Sequence, residues 1–228
     1  GMGYGTTLTP ILIILGFNPL QIVPCILLSE FISGISAGLL HHHAGNVNLS
    51  KGTKAHKSML ILAACSIAGT IVAVILALKL PKMIVQSYIG VMILLIGIFV
   101  LYGKRFSGKF SYKKIFALGT IAAFNKGISG GGYGPLVTGG QVLIGVPEKS
   151  AIGITSFAEG IVCFVGLILY IAFSGLPYWE LAIPLTLGAA LSVPLATWTV
   201  KILPEQILRK SIGYATVFLG LLMLLKIF

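Results

Sequence analysis

The sequence contains no aspartate, and its acidic residues are the five glutamates Glu30, Glu148, Glu159, Glu180 and Glu205. Charged residues make up 9% of the 228 positions and apolar residues 57%, a balance that excludes an ordinary soluble domain. The net charge of +11 therefore comes from lysine and arginine that no acid balances. Most of these basic residues lie in short segments between apolar runs, as the positive-inside rule of membrane proteins predicts. We expect a lipid-embedded chain with no nucleic-acid partner.

Cysteine is also scarce. Cys25, Cys65 and Cys163 lie far apart in apolar runs with no C-x-x-C spacing, so neither a disulfide framework nor a zinc site is predicted. We interpret them as small buried apolar residues. No nucleotide-binding motif or redox cofactor site is present, so we predict no cofactor and no ATP-driven mechanism.

Long apolar runs dominate what remains. Six of them reach the roughly 20 residues that a helix needs to cross a bilayer, and they lie at 22–40, 59–78, 84–102, 151–173, 181–200 and 207–228. The sequence thus predicts an all-α, polytopic membrane protein with six full spans.

Two further apolar segments, 1–17 and 115–146, are rich in glycine. The second would be about 48 Å long as one helix, well beyond the roughly 30 Å hydrocarbon core, so it must break. Five glycines between Gly127 and Gly134 supply the break. Backbone freed at that depth is tolerated where it is buried in protein or lines a wet cavity. We therefore predict two glycine-broken or re-entrant segments.

The two halves of the chain are copies of each other. Residues 1–40 align with 130–169 without a gap, and the identical pairs include Gly3/Gly132, Tyr4/Tyr133, Gly5/Gly134, Thr9/Thr138 and Glu30/Glu159. We predict one transmembrane domain, 1–228, made of repeat one (1–102), a cytoplasmic linker (103–114) and repeat two (115–228). Gly130 follows a helical run, 115–124, so the duplication predicts a further half-segment ahead of Gly1.

The relation between the repeats depends on the second break. A re-entrant hairpin inverts repeat two relative to repeat one, whereas a kink within one span makes the repeats parallel. Inversion collects most basic residues at the cytoplasmic side and leaves Lys79, Lys82 and Lys226 outside, whereas the parallel arrangement divides them more evenly. The positive-inside rule therefore favours inverted repeats.

Each Gly-Tyr-Gly triplet is a candidate substrate site. A helix that restarts after Gly5 or Gly134 presents unpaired N–H groups and a positive dipole end to the cavity, which suits an anion. We predict that substrate contacts Gly3, Tyr4, Gly5, Gly132, Tyr133 and Gly134. The alternative is that these glycines serve only close helix packing.

Lys126 lies beside the second break, and an ammonium near the bilayer centre marks a pathway or a partner. We predict that Lys126 contacts the anion and that Asn125 and Ser129 donate hydrogen bonds to it. The alternatives are a lysine that snorkels to an interface or one that pairs structurally with Glu159.

Glu30 and Glu159 occupy matched positions within their spans. Either carboxyl could carry a proton and couple transport to a proton gradient, or could brace the broken helices by accepting their free N–H groups. Thr155 and Ser156 lie one helical turn before Glu159 and are predicted to share the site, whereas their counterparts Ile26 and Leu27 are apolar. The two halves are thus chemically unequal.

Two other patterns support competing interpretations. His41, His42 and His43 end the first long run, and with Glu30 and Glu159 they suggest a proton-coupled metal or cation carrier. Adjacent histidines on one helix point to different faces, however, so we predict no metal site. The G-x-S-x-G motif around Ser36 suggests an intramembrane hydrolase, but that motif requires a strand-turn-helix and here lies within an apolar helix.

These features resemble the sulfite exporter TauE/SafE family, also called the toluene-sulfonate uptake permease group. The likeness rests on the glycine-rich break, the apolar run with a glycine- and proline-containing turn and the histidine-ended helix, all duplicated, at 1–19, 22–48, 127–147 and 151–170. It implies a multi-pass inner-membrane transporter of small sulfur-containing anions such as sulfite or sulfonates, driven by an ion gradient. Glu30 and Glu159 depart from the small or apolar residues of many members.

We therefore expect a secondary-active anion transporter rather than an enzyme, with alternating access to a site between the glycine breaks. Its expected partners are the small anionic substrate and the lipid bilayer, and a homo-oligomer remains an open alternative.

Overall fold

The computed structural model describes residues 4–102 and 110–227, and all regular structure in these ranges is helical. The helices are α1 (Tyr4–Ile14), α2 (Pro19–His43), α3 (Lys54–Lys79), α4 (Lys82–Tyr102), α5 (Tyr112–Ser129), α6 (Tyr133–Leu143), α7 (Glu148–Ser174), α8 (Trp179–Ile202) and α9 (Glu205–Ile227). The all-α prediction is confirmed. Gly3 and linker residues 103–109 lie outside the described residues.

Five helices, α2, α3, α4, α7 and α8, are long and apolar enough to cross a membrane. They coincide with the first five predicted spans. The sixth corresponds to α9, whose apolar stretch Gly213–Leu225 is shorter, so the count of six spans stays a prediction. Large apolar side chains along α8 are exposed, including Leu187, Leu191 and Leu195. Such a stripe suits contact with lipid.

The glycine-rich segment breaks as predicted. Helix α5 ends at Ser129, and Gly130 and Gly132 then adopt left-handed backbone conformations with φ of 68° and 81°, which glycine tolerates best. Helix α6 returns alongside α5. Their closeness is seen at Gly140, where an added Cβ atom would lie 2.5 Å from Leu118. The two helices therefore form a hairpin.

The long helices pack in antiparallel pairs through glycines. Along α2 and α7, Gly34 meets Gly160 and Gly38 meets Phe157, so the residue numbers run in opposite directions. Helices α4 and α9 pair in the same way, at Gly90 with Leu224, Gly97 with Val217, Gly213 with Leu101 and Gly220 with Leu94. Small residues at these contacts let the backbones approach closely.

Gly97 offers a stability test of this packing. Gly97→Ala should destabilise the protein by about 1–3 kcal/mol because its Cβ would lie 2.7 Å from the Val217 backbone nitrogen. Gly188→Ala is the matched control, since nothing lies within 4 Å of the added Cβ and alanine is the better helix former. Thermal unfolding in detergent should show a lower midpoint for Gly97→Ala alone. Equal midpoints for both variants would contradict the close packing.

The bundle has one lysine-rich end, which we call the basic end. Here the start of α7 meets both the end of α8 and the α2–α3 loop. Lys149 Nζ donates to Lys201 O at 3.2 Å, and Ser150 Oγ donates to Asn46 O at 3.4 Å. Described lysines at this end are Lys51, Lys54, Lys57, Lys113, Lys114, Lys149, Lys201 and Lys210. The opposite end carries the α1–α2, α3–α4 and α7–α8 turns.

Candidate functional site

Three buried charged residues meet where α2, α5 and α7 pack together. Lys126 on α5 lies between Glu30 on α2 and Glu159 on α7 and forms ion pairs with both. Its Nζ atom is 2.8 Å from Glu159 Oε1. Lys126 is 0% exposed, and the two glutamates are 6% and 7% exposed. We call these three residues the triad. The sequence suggested a pairing with Glu159 alone, and the contact with Glu30 is additional.

Glu30 also contacts the start of α1. The Gly5 N–H donates to Glu30 Oε1 at 2.9 Å, and the Cys163 thiol lies 3.8 Å from Glu30 Oε2. Both Glu30 oxygens are therefore engaged, as the bracing interpretation of this residue requires. By contrast, Lys126 is the one hydrogen-bond donor identified for Glu159 in the described part of the chain. The two matched glutamates thus have unequal surroundings.

The two glycine breaks meet directly. A Cβ atom on Gly5 would lie 2.2 Å from Gly130 O, and one on Gly131 would lie 2.7 Å from Gly5 O, so only glycine fits this crossing. The N–H of Gly132 donates to Thr6 Oγ1 at 2.9 Å, and the N–H of Gly131 donates to Ser129 Oγ at 3.0 Å. Two of the amides predicted to face an anion, those of Gly5 and Gly132, are therefore engaged by the chain itself.

Other predicted site residues surround the break. Tyr88 on α4 donates to Asn125 Oδ1, and Ser129 Oγ donates to Asn125 O at 2.7 Å. The matched tyrosines have different partners. Tyr4 donates to Leu185 O on α8 at 3.3 Å, whereas Tyr133 lies fully buried with its hydroxyl 3.4 Å from Ser66 Oγ on α3. Gly134 is buried in the first turn of α6.

Thr155 belongs to a polar cluster between α6 and α7, and Ser156 follows it on α7. Thr155 Oγ1 accepts from Gln141 Nε2 at 2.7 Å and from Thr138 Oγ1 at 3.0 Å. Ser156 Oγ and Gln141 Oε1 are buried without a hydrogen-bond partner among the described residues. Sequence reasoning missed Gln141, although a glutamine inside an apolar segment is a signal that could have found it.

The histidines do not converge. His42 Nδ1 lies 3.1 Å from Val47 O, and the buried His41 places its Nδ1 2.9 Å from Asn46 Nδ2. Within residues 4–102 and 110–227, no group of three metal-ligating side chains comes together. Ser36 lies inside the continuous helix α2 and donates to Ile32 O at 2.8 Å. The nucleophile turn of a hydrolase is therefore absent at this serine.

A cleft of about 810 Å³ opens at the opposite end, between the start of α2 and the α7–α8 turn. Its lining includes Asn18, Gln21, Pro24, Tyr178 and Glu180. Tyr178 donates to Glu180 at 2.5 Å, and this hydrogen bond to the carboxylate raises the pKa of the Tyr178 hydroxyl. The cleft lies on the side of the bundle away from the basic end.

Comparison with known proteins agrees with this architecture. The model of the family "Sulfite exporter TauE/SafE" matches residues 1–223. The probable membrane transporter protein YtnM of Bacillus subtilis (strain 168) is 26% identical, over 93% of this chain and 73% of that protein. No solved structure matches the chain. Together with the apolar helices, the family match identifies a multi-pass membrane transporter rather than an enzyme, and the chain belongs to the sulfite exporter TauE/SafE family.

Proposed function

We propose that this protein is a secondary-active transporter that moves a small sulfur-containing anion, such as sulfite or a sulfonate, together with a proton. The observation that carries the proposal is the fully buried Lys126 between two carboxylates. The sulfur-containing class comes from the family, which is named for sulfite export.

The charge of the triad argues for coupling. Two carboxylates and one ammonium leave one negative charge in excess, which repels an anion at close range. A proton on one carboxyl cancels that excess charge and weakens the ion pair between that carboxyl and Lys126. The ammonium then becomes available to an incoming oxyanion. Proton and anion binding therefore favour each other, and by linkage each raises the affinity for the other by the same factor.

Glu159 is the proposed proton carrier and Glu30 the brace. Glu30 accepts the Gly5 N–H and also contacts Lys126, so protonating it would disturb the start of α1. Glu159 lies one turn from the hydroxyls of Thr155 and Ser156. A hydroxyl can donate a hydrogen bond to an ionised carboxyl or accept one from a neutral carboxyl. The anion would lie against Lys126 and the break, within reach of Asn125, Ser129 and the start of α6.

The topology proposed for this activity has two inverted repeats in one domain, with the basic end in the cytoplasm and the chain in the cell membrane. Antiparallel pairing of α2 with α7 and of α4 with α9 supports inversion, because these partners are sequence copies of each other. The excess of lysine at one end supports the orientation. In alternating access, the triad would then open first to one side of the membrane and next to the other.

Transport assays in liposomes test this proposal. Purified protein should accumulate labelled sulfite or a small sulfonate when the compartment that supplies the anion is made acidic, and dissipating the pH gradient with a protonophore should remove that stimulation. Protein-free liposomes are the control. Uptake of a divalent cation without any anion uptake, lost in Glu30→Gln, would instead identify the cation carrier.

A further inference from the structure

We propose that Thr138, Gln141, Thr155 and Ser156 hold a file of water molecules that carries protons between Glu159 and the basic end of the bundle. We call these four residues the polar wall. The inference rests on the proposed function, since it specifies where the coupled proton enters and leaves.

The hydrogen bonds of Gln141 show why water belongs there. Gln141 is fully buried, and its Nε2 donates to Thr155 Oγ1 at 2.7 Å and to Ala151 O at 3.4 Å. A carbonyl oxygen only accepts, so this contact fixes the amide orientation and leaves Oε1 as an unpaired acceptor. Leaving such a group unpaired costs about 1–3 kcal/mol.

Ser156 adds a second unpaired polar atom on the same stretch of α7. Its Oγ is buried and has no hydrogen-bond partner within the described ranges. Buried water is the usual partner of such groups when two or more polar atoms are available to it. Gln141 Oε1, Ser156 Oγ and the hydroxyl of Thr138 together supply acceptors and donors to a chain of water molecules.

The polar wall leads to the triad. Ser156 and Thr155 precede Glu159 by three and four residues on α7, so they lie on the same helix face. The other charged or titratable groups near Glu159 are Lys126 from α5, Glu30 from α2, Tyr133 from α6 and Cys163 from α7. A cytoplasmic proton would pass along the water file and form an O–H bond at the Glu159 carboxyl. The same bond breaks when the proton returns.

The other side of the triad is closed by apolar side chains. The repeat counterparts of Gln141, Thr155 and Ser156 are Leu12, Ile26 and Leu27. All three are buried in one apolar cluster together with Ile22 and Val23. This cluster lies between Glu30 and the 810 Å³ cleft along α2. The proton path is therefore one-sided in this conformation.

The first test separates proton supply from anion binding. Thr138→Val and Gln141→Leu should each lower proton-driven net uptake about tenfold, the factor that corresponds to one lost buried hydrogen bond. Counterflow, in which labelled anion exchanges with unlabelled anion without net proton movement, should stay at the wild-type rate. Thr186→Val is the control, since among the described residues the Thr186 hydroxyl bonds only to Ala182 O of its own helix.

Two results would overturn the inference. Wild-type net uptake in both variants would mean that the polar wall carries no protons. An equal loss of counterflow and net uptake would mean that these residues contact the anion or hold the fold. Failure of the proposed function looks different, because wild-type protein would then show neither uptake nor counterflow of sulfite or sulfonates.

A second test needs no substrate. Copying the polar side chains into repeat one, as Leu12→Gln/Ile26→Thr/Leu27→Ser, should open the closed side and let protons leak through the liposome membrane about tenfold faster than wild type, by the same hydrogen-bond arithmetic. Adding Thr155→Val should suppress the leak. The apolar variant Leu12→Met/Ile26→Val/Leu27→Ala is the matched control. A dye-measured leak that Thr155→Val leaves unchanged, or no leak from protein that elutes like wild type, would contradict the one-sided path.

Discussion

Lys126→Met is expected to abolish anion transport and to destabilise the protein. Methionine keeps most of the volume but leaves two buried carboxylates facing each other without a cation. Removing one partner from a buried ion pair costs about 3–5 kcal/mol. We therefore expect a clearly lower unfolding midpoint in detergent and uptake at the level of protein-free liposomes.

A triple variant separates the structural role of Lys126 from its transport role. In Lys126→Met/Glu30→Gln/Glu159→Gln no buried charge is left unpaired, so most of the lost stability should return. Transport should not return, because the cation that attracts the anion is still missing. Recovery of transport together with stability would show that Lys126 only pairs the glutamates. Normal uptake by Lys126→Met would exclude it from the substrate site.

Glu159→Gln is expected to make the affinity for the anion independent of pH. Glutamine imitates the protonated carboxyl, so the variant should bind a small sulfonate, whose charge is constant in this range, with one affinity across about pH 5 to 9. Wild-type affinity should rise as pH falls, by up to about tenfold per pH unit while one proton is taken up. Binding is measured by titration of purified protein at a series of pH values.

The same variant should retain counterflow but lose accumulation driven by a pH gradient, because no proton moves with the anion. Glu30→Gln is the comparison. Its amide oxygen can still accept the Gly5 N–H, and its anion affinity should still rise as pH falls, because Glu159 can still take up a proton. A reversed pattern, with pH dependence lost in Glu30→Gln and kept in Glu159→Gln, would exchange the two roles.

The helices and the break could be predicted from the sequence because both depend on local composition. Apolar runs of bilayer length give α2, α3, α4, α7 and α8, and clustered glycines between Gly127 and Gly134 end one helix and begin another. The matched glutamates also indicated where the centre of the protein lies. Each of these signals lies within one segment or one repeat.

The contacts of the site could not be predicted in the same way. Lys126 meets Glu30 across 96 positions of sequence, a contact that depends on how α5 lies against the packed pair of α2 and α7. The matched tyrosines contact α8 and α3 through Leu185 O and Ser66 Oγ, and their contact with substrate stays a prediction. Gln141 carries a sequence signal as a glutamine in an apolar segment, but its hydrogen bonds to α7 depend on α6 folding back against that helix.

Proton uptake on anion binding tests the central claim, that the anion binds to the triad only with a proton. The anion that the protein binds, sulfite or a small sulfonate, would be added to weakly buffered, detergent-solubilised protein. A dye would record the resulting pH change. Sulfite's own protonation equilibrium would be subtracted by a protein-free titration. We expect about one proton taken up per anion bound by wild type and none by Glu159→Gln. Anion binding by wild type without proton uptake would contradict the account.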